Sequence, residues 1–262
     1  VSSAGDEPFI LQARGPYPRE SVLASEEAPF AVDPEHEALV EQAWQKAVAA
    51  ASASGRKLFP GAVMGFKGFA TRGPLISLGL HRTDYRAFVG TNLSPEFRAT
   101  GARCANALGI SIIIVLASGR VLLHRRGDAS FEWPLAIDTP GGHVEPDFHR
   151  DGGAPSIFAA AQDELEAELG IRRAEIAALS LLGLARIRET QKPQAIILAR
   201  VAASFEEIGA RIATARESFE TSELLAPLAL HELGALARSS EPVTPAGRAA
   251  LTLAAELLPG LV

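Results

Sequence analysis

The sequence has one cysteine, Cys104, so no disulfide can form within the chain and no cysteine-rich zinc site can be built. It has no apolar stretch near the roughly 18 to 20 residues that span a bilayer. The longest such run, residues 110–117, has the length of a strand. Basic residues are also in short supply. A formal net charge of -6 argues against a general binder of nucleic-acid backbones, whose affinity rests on basic surface. The segment Val1-Ser2-Ser3-Ala4-Gly5-Asp6-Glu7 has neither a basic region nor an apolar one after it, so it does not read as a signal peptide. Together these absences predict a reduced, cytoplasmic setting without membrane or nucleic-acid partners.

What is present is enough apolar sequence, 47%, for a sizeable core. Residues 1–30 read as a strand or two with loop. Asp33 and Pro34 suit the start of a helix, which Leu39, Val40, Ala43, Trp44 and Ala47 continue at helical spacing and Gly55 ends. Residues 62–70 and 75–80 form an expected hairpin, and residues 83–92 a short helix and turn. A second hairpin pairs residues 110–117 with 120–126 across Ser118-Gly119, and another short strand is expected at 135–138. Ser156 and Gly170 bracket a helix whose apolar stripe is Ile157, Ala161, Leu165 and Leu169. Strands are expected near 179–186 and 194–202, and helices over 204–216, 227–238 and from Thr244 to about Leu258. This alternation predicts an α/β core with helices on both faces. A division near residue 105 separates an N-terminal α+β region, 1–105, from a second region, 106–262.

Two segments carry chemistry. One is Pro140-Gly141-Gly142-His143-Val144-Glu145-Pro146; the other is the stretch from Asp163 to Ile171. Glu164 and Glu168 lie one helical turn apart and share a face. Their mutual repulsion would be relieved by a divalent cation, and Mg²⁺ prefers carboxylate, water and phosphate oxygens. The glycines let the backbone turn tightly just ahead of that helix. Acids at this spacing are also common on a plain solvated face, and only the glycine turn and preceding hairpin shift the balance.

These two segments resemble the Nudix box, in which G, five residues, E and seven residues precede R-E-U-x-E-E-x-G-U, U being aliphatic. Glu164 and Glu168 fall on the first and last Glu of its second part. Asp163 stands where the pattern has Arg, Ala167 where it has the first acid of the Glu pair, and Gly142 to Glu164 is 22 positions against 15, so about seven residues are inserted. Over residues 57–225 the chain is similar to the Nudix family of UDP-glucose and UDP-galactose diphosphatases with an atypical box. The similarity rests on Thr71-Arg72-Gly73-Pro74, on residues 78–80, on Asp84-Tyr85-Arg86 with Gly90-Thr91-Asn92, on residues 182–186 and on Glu220-Thr221-Ser222.

The resemblance implies a Nudix α/β/α sandwich over the second region, preceded by an α+β region that contributes to the nucleotide-sugar site. It implies Mg²⁺, with Mn²⁺ as an alternative, held by Glu164 and Glu168, with Glu220 as a further catalytic acid. Tyr85, Arg86, Asn92, Gly142, His143 and Arg186 are the implied substrate contacts. The implied reaction releases UMP and a hexose 1-phosphate. A diphosphatase for another conjugate such as ADP-ribose, and a catalytically silent nucleotide-sugar binding module, are the competing readings.

Overall fold

The computed structural model describes residues 7–128 and 130–261. Residues 1–6, read above for a leader, lie outside the described residues. The strands are β1 (Phe9–Pro18), β2 (Val22–Glu27), β3 (Ala62–Arg72), β4 (Leu75–Asp84), β5 (Gly109–Val115), β6 (Val121–Leu122), β7 (His124–Arg126), β8 (Ile137–Asp138), β9 (Arg150–Asp151), β10 (Ala154–Pro155), β11 (Ile176–Ile187), β12 (Pro193–Val201) and β13 (Thr221–Leu224). The α-helices are α1 (Glu37–Ala53), α2 (Tyr85–Phe88), α3 (Pro95–Ala99), α4 (Ile157–Leu169), α5 (Phe205–Ile212), α6 (Leu230–Ala237) and α7 (Pro245–Leu257).

The central sheet has the order β1-β11-β12-β5-β6, with β12 and β5 parallel and the other pairs antiparallel. β5 and β12 are buried on both faces, and their alternation sorts side chains between two cores. Ile110, Ile112, Ile114, Ala195 and Ile197 meet α4 through Ile157, Phe158, Ala161, Leu165 and Leu169. Ile113, Val115, Ile196 and Leu198 meet α6 and α7 through Leu233, Ala250, Leu253 and Ala254. Helices thus cover both faces, which makes this the expected α/β/α sandwich.

The return strand of the second hairpin departs from expectation. Val121 and Leu122 pair with β5, but after Leu123 the chain leaves that sheet. β7 instead lies between β13 and β8 in a separate three-stranded sheet. The helix expected over 204–216 ends at Ile212, with residues beyond it in turns.

Residue 105 does not divide the core. β1 forms an edge of the central sheet, pairing Phe9 with Ile187. Met64, Phe66, Ile76, Leu78 and Leu80 of β3 and β4 belong to the same buried cluster as Leu108, Ile110 and α4. The inserted residues ahead of α4 make the small β9–β10 hairpin, which docks onto the N-terminal region through Arg150–Glu26 (2.8 Å) and Arg19–Asp151 (2.5 Å). Among the described residues, no helix is long and apolar enough to cross a membrane.

Candidate active site

The glycine loop is held in place as an extended strand beside β5. Ile110 N and Ile112 N donate to the carbonyls of Gly142 and Pro140, both at 2.8 Å. A Cβ at Gly141 would lie 1.9 Å from the Ile110 carbonyl oxygen, and one at Gly142 would lie 2.0 Å from Glu164 Oε1. Side chains at these two positions would hold the loop away from both β5 and α4. The glycines are needed for this close approach more than for a tight turn.

α4 is fixed at both ends. Ser156 Oγ accepts from Ala159 N at 3.1 Å, and Gly170 closes the helix in the left-handed conformation with φ 66°. Its acidic face therefore meets the loop at a set height. Glu168 is 1% exposed, and its Oε1 accepts from Gly141 N at 3.0 Å. Its Oε2 lies 4.0 Å from Nδ1 of His124, an imidazole that burial holds neutral by pushing its pKa down to about 3. Glu168 thus has no Lys or Arg within ion-pair range among the described residues, and Arg126 acts on it only from farther off. Burial, with Glu164 and Glu220 nearby, raises its carboxyl well above the ordinary value. Burial first, then the charges of Glu217 and Glu220, pushes Glu164 up to about 8. Glu220 is raised by burial and by Glu217. Arg126 offsets part of this charge at Glu220 and Glu168, and a set of three carboxylates offering only hard oxygen donors suits a divalent cation.

A cleft of about 710 Å³ opens over this loop and helix, within the range of small-ligand sites. Glu164, Glu217 and Glu220 are among its lining residues, and the buried Glu168 is one helical turn from Glu164. Tyr85, Phe131 and His143 line it too, with ring centroids 6.5 Å (Tyr85–Phe131) and 5.8 Å (Tyr85–His143) apart. Lys192 Nζ lies there, 2.8 Å from Glu132 Oε1 and 5.0 Å from the Phe88 ring centre. Arg126 reaches the cleft held by the Glu132 carbonyl (3.0 Å) and Asp138 (3.4 Å). Three buried polar atoms of lining residues, His143 Nε2, Thr139 Oγ1 and Gln194 Oε1, have no hydrogen-bond partner among the described residues. Asp33, Glu35 and His36, whose ligand atoms lie within 4.8 Å of one another, are not in the cleft. They belong to the turn that starts α1, where Asp33 accepts from Glu35 N.

The cleft brings together Tyr85, Gly142, His143, Glu164 and Glu220, with Glu168 against its glycine loop. It leaves out three residues expected to contact substrate. Arg86 is turned to α1, where Nε donates to Glu41 at 2.8 Å and Nη2 to Glu37. Arg186 is half-buried in β11, between β1 and β12, away from the cleft lining. Asn92 is fully buried: its amide donates to Asn106 Oδ1 (3.1 Å) and the Thr190 carbonyl (3.0 Å), and its oxygen accepts from Asn106 N (2.8 Å). With both amide ends occupied, it ties three segments together rather than reading a ligand. Asn92→Ala would leave buried groups unpaired at about 1–3 kcal/mol each. It is expected to lower the melting temperature by several degrees. An unaltered melt would show that Asn92 does not carry this structural role.

Arg126, Glu132, Lys192 and Glu217 are cleft residues that the sequence alone did not single out. The NUDIX domain pattern matches residues 105–246, more than half of the chain. This chain belongs to the Nudix family. Nudix hydrolases typically use divalent metals. The Nudix chain is 30% identical to uridine diphosphate glucose pyrophosphatase NUDT22 of Homo sapiens, over 44% of this chain and 46% of that protein. It is 25% identical to Nudix hydrolase 9 of Arabidopsis thaliana, over 73% of this chain and 72% of that one. It thus spans about half the length of the human relative. A solved MutT protein from Methanosarcina mazei Go1 is 20% identical over 57% of this chain and 93% of its own, with a TM-score of 0.39.

Proposed function

We propose that this Nudix hydrolase splits the diphosphate of a UDP-sugar, UDP-glucose or UDP-galactose, into UMP and a hexose 1-phosphate with Mg²⁺ as cofactor. The observation that carries this reading is the cleft itself. Its lining holds Glu164, Glu217 and Glu220 together with aromatic rings, a lysine and an arginine. The name of the human relative supports the choice of sugar nucleotide.

Glu168 and Glu164 would hold the cation, which when bound neutralises diphosphate charge and favours ionisation of water. Gly141 N fixes the Glu168 carboxylate against the loop. The water oxygen attacks one phosphorus while the bridging P–O bond breaks. Glu220, whose proton affinity burial and Glu217 raise, is suited to take the proton of that water. Lys192 and Arg126 offer positive charge to phosphate oxygens within the same cleft. Tyr85 and Phe131 offer ring surface to uracil.

Incubation with UDP-glucose, UDP-galactose and ADP-ribose, with Mg²⁺ and with chelator, tests this reading by chromatography of the products. UMP and hexose 1-phosphate are expected with Mg²⁺ only. Cleavage confined to ADP-ribose would move the substrate to another conjugate. Saturable UDP-glucose binding without cleavage would make the chain a silent binding module.

A further inference from the structure

Three large apolar side chains that remain exposed line the cleft. Phe59 lies between α1 and β3, Trp133 between β7 and β8, and Phe219 in the turn ahead of β13; they are 72%, 50% and 64% exposed. Exposed rings gathered at one opening mark a binding surface. Trp133 differs from the other two in its backbone. Its φ is 51° and that of Leu135 is 61°, in the left-handed region that bulky side chains rarely adopt.

Such a backbone persists only where its surroundings impose it. Here basic side chains from separate parts of the chain do so. Arg56 Nη1 donates to the Ser130 carbonyl at 2.6 Å, Arg126 Nε to the Glu132 carbonyl at 3.0 Å and Arg125 Nη1 to the Leu135 carbonyl at 3.1 Å. Lys192 Nζ donates to the Glu132 carboxylate at 2.8 Å. The loop is pinned on both sides of Trp133, yet the indole it presents is left half in water. Tyr85, by contrast, already packs against the rings of Phe88, Phe131 and His143. Trp133 has no such ring partner among the described residues.

We propose that Trp133 is a substrate-contacting residue whose indole covers the nucleobase of the nucleotide bound in the cleft. This rests on reading the cleft as the nucleotide-sugar site. Every base has a flat π-face, so stacking supplies affinity and leaves the choice of base to polar groups elsewhere in the cleft. A hexose 1-phosphate has no such face, so the indole favours the nucleotide half of the substrate. The clamped loop holds the ring in place before any ligand arrives, which lowers the ordering cost of binding.

The chain has two tryptophans, and Trp44 is buried and outside the cleft lining. Emission from the full-length Trp44→Phe variant therefore reports Trp133 alone. The experiment is acrylamide quenching of that emission in Mg²⁺, with UMP, AMP or glucose 1-phosphate added. UMP is expected to shield the indole, and glucose 1-phosphate to leave it open. By calorimetry, Trp133→Ala weakens UMP binding by about tenfold, and Trp133→Phe recovers most of the loss. Phe148→Ala, which alters an exposed ring outside the cleft, keeps the parent affinity. Shielding by AMP and not by UMP upholds the contact and removes the UDP-sugar substrate. Shielding by neither nucleotide, or parent UMP affinity in Trp133→Ala, overturns the proposal while leaving the UDP-sugar reading intact.

Discussion

Glu168→Gln is expected to abolish most turnover while the fold persists. The side chain is buried, so the substitution has to be tolerated locally, and it is nearly isosteric. The amide oxygen can still accept from Gly141 N, the contact that joins α4 to the glycine loop. What is lost is the second carboxylate oxygen, Oε2, which lies 4.0 Å from His124 Nδ1. If that oxygen binds the cation, transition-state charge stabilisation falls by several kcal/mol. At about 1.4 kcal/mol per decade this is a loss of roughly a hundredfold or more. Removing the repulsion between Glu168, Glu164 and Glu220 should also keep the metal-free melt at or above that of the parent. Steady-state kinetics with UDP-glucose and a melt in chelator check both halves. Parent-like Mg²⁺-dependent turnover in a folded variant removes Glu168 from the site.

The second large effect is on stability as a function of pH. Burial, then Glu217 and Glu220, raise Glu164 from 4.5 to about 8. A carboxyl raised in the folded state binds its proton more tightly there than in the unfolded chain. Its contribution is complete below the unfolded value and is lost as pH rises through about 8. The buried His124 and His143 act in the opposite sense. Both are lowered to about 3 by burial, so their contribution is full above 6.5 and lost only as pH falls. Glu175, held near 2 by Arg172, acts lower still. The interval from about pH 6.5 to 8 therefore isolates the cleft acids. Without metal the chain should lose on the order of 2 kcal/mol across it. Saturating Mg²⁺ should flatten or reverse that decline, since the cation binds the ionised carboxylates. Denaturant titrations in chelator and in Mg²⁺ give both curves. A metal-free stability constant over this interval would show that Glu164 is not the strained acid described here.

The sequence was most informative where local chemistry fixes local structure. Ser156 and Gly170 bracket α4, and the run of β-branched residues in β5 forms a strand. Glu164 and Glu168 were legible as a pair because helical spacing alone puts them on one face. The burial of Glu168 was not, because it depends on Gly141 donating from a loop that only β5 holds in place. Asn92 and Arg86 show the limit from the other side. A polar side chain announces that it needs a partner, not whether that partner is a ligand or the protein. Asn106 and Thr190 satisfy Asn92, and Glu37 and Glu41 satisfy Arg86. Arg126, Lys192 and Glu217 reach the cleft only through long-range pairing, and no local pattern marks them.

The placement of β1 has a consequence for how the chain reaches this state. Phe9 pairs with Ile187, and Pro18 with Ser180, so the first strand has no sheet to join until β11 exists. During synthesis from the N-terminus, β1 must wait while most of the chain is made. Meanwhile β3 and β4 can zip locally across their hairpin. Long-range pairings of this kind slow folding and leave apolar strands uncovered in the interval. Expressing residues 105–246 by themselves would take away β1, leaving the β11 backbone unpaired along one side. It would also uncover the part of the core filled by Met64, Phe66 and Leu78. Such a fragment would meet its own copies edge to edge.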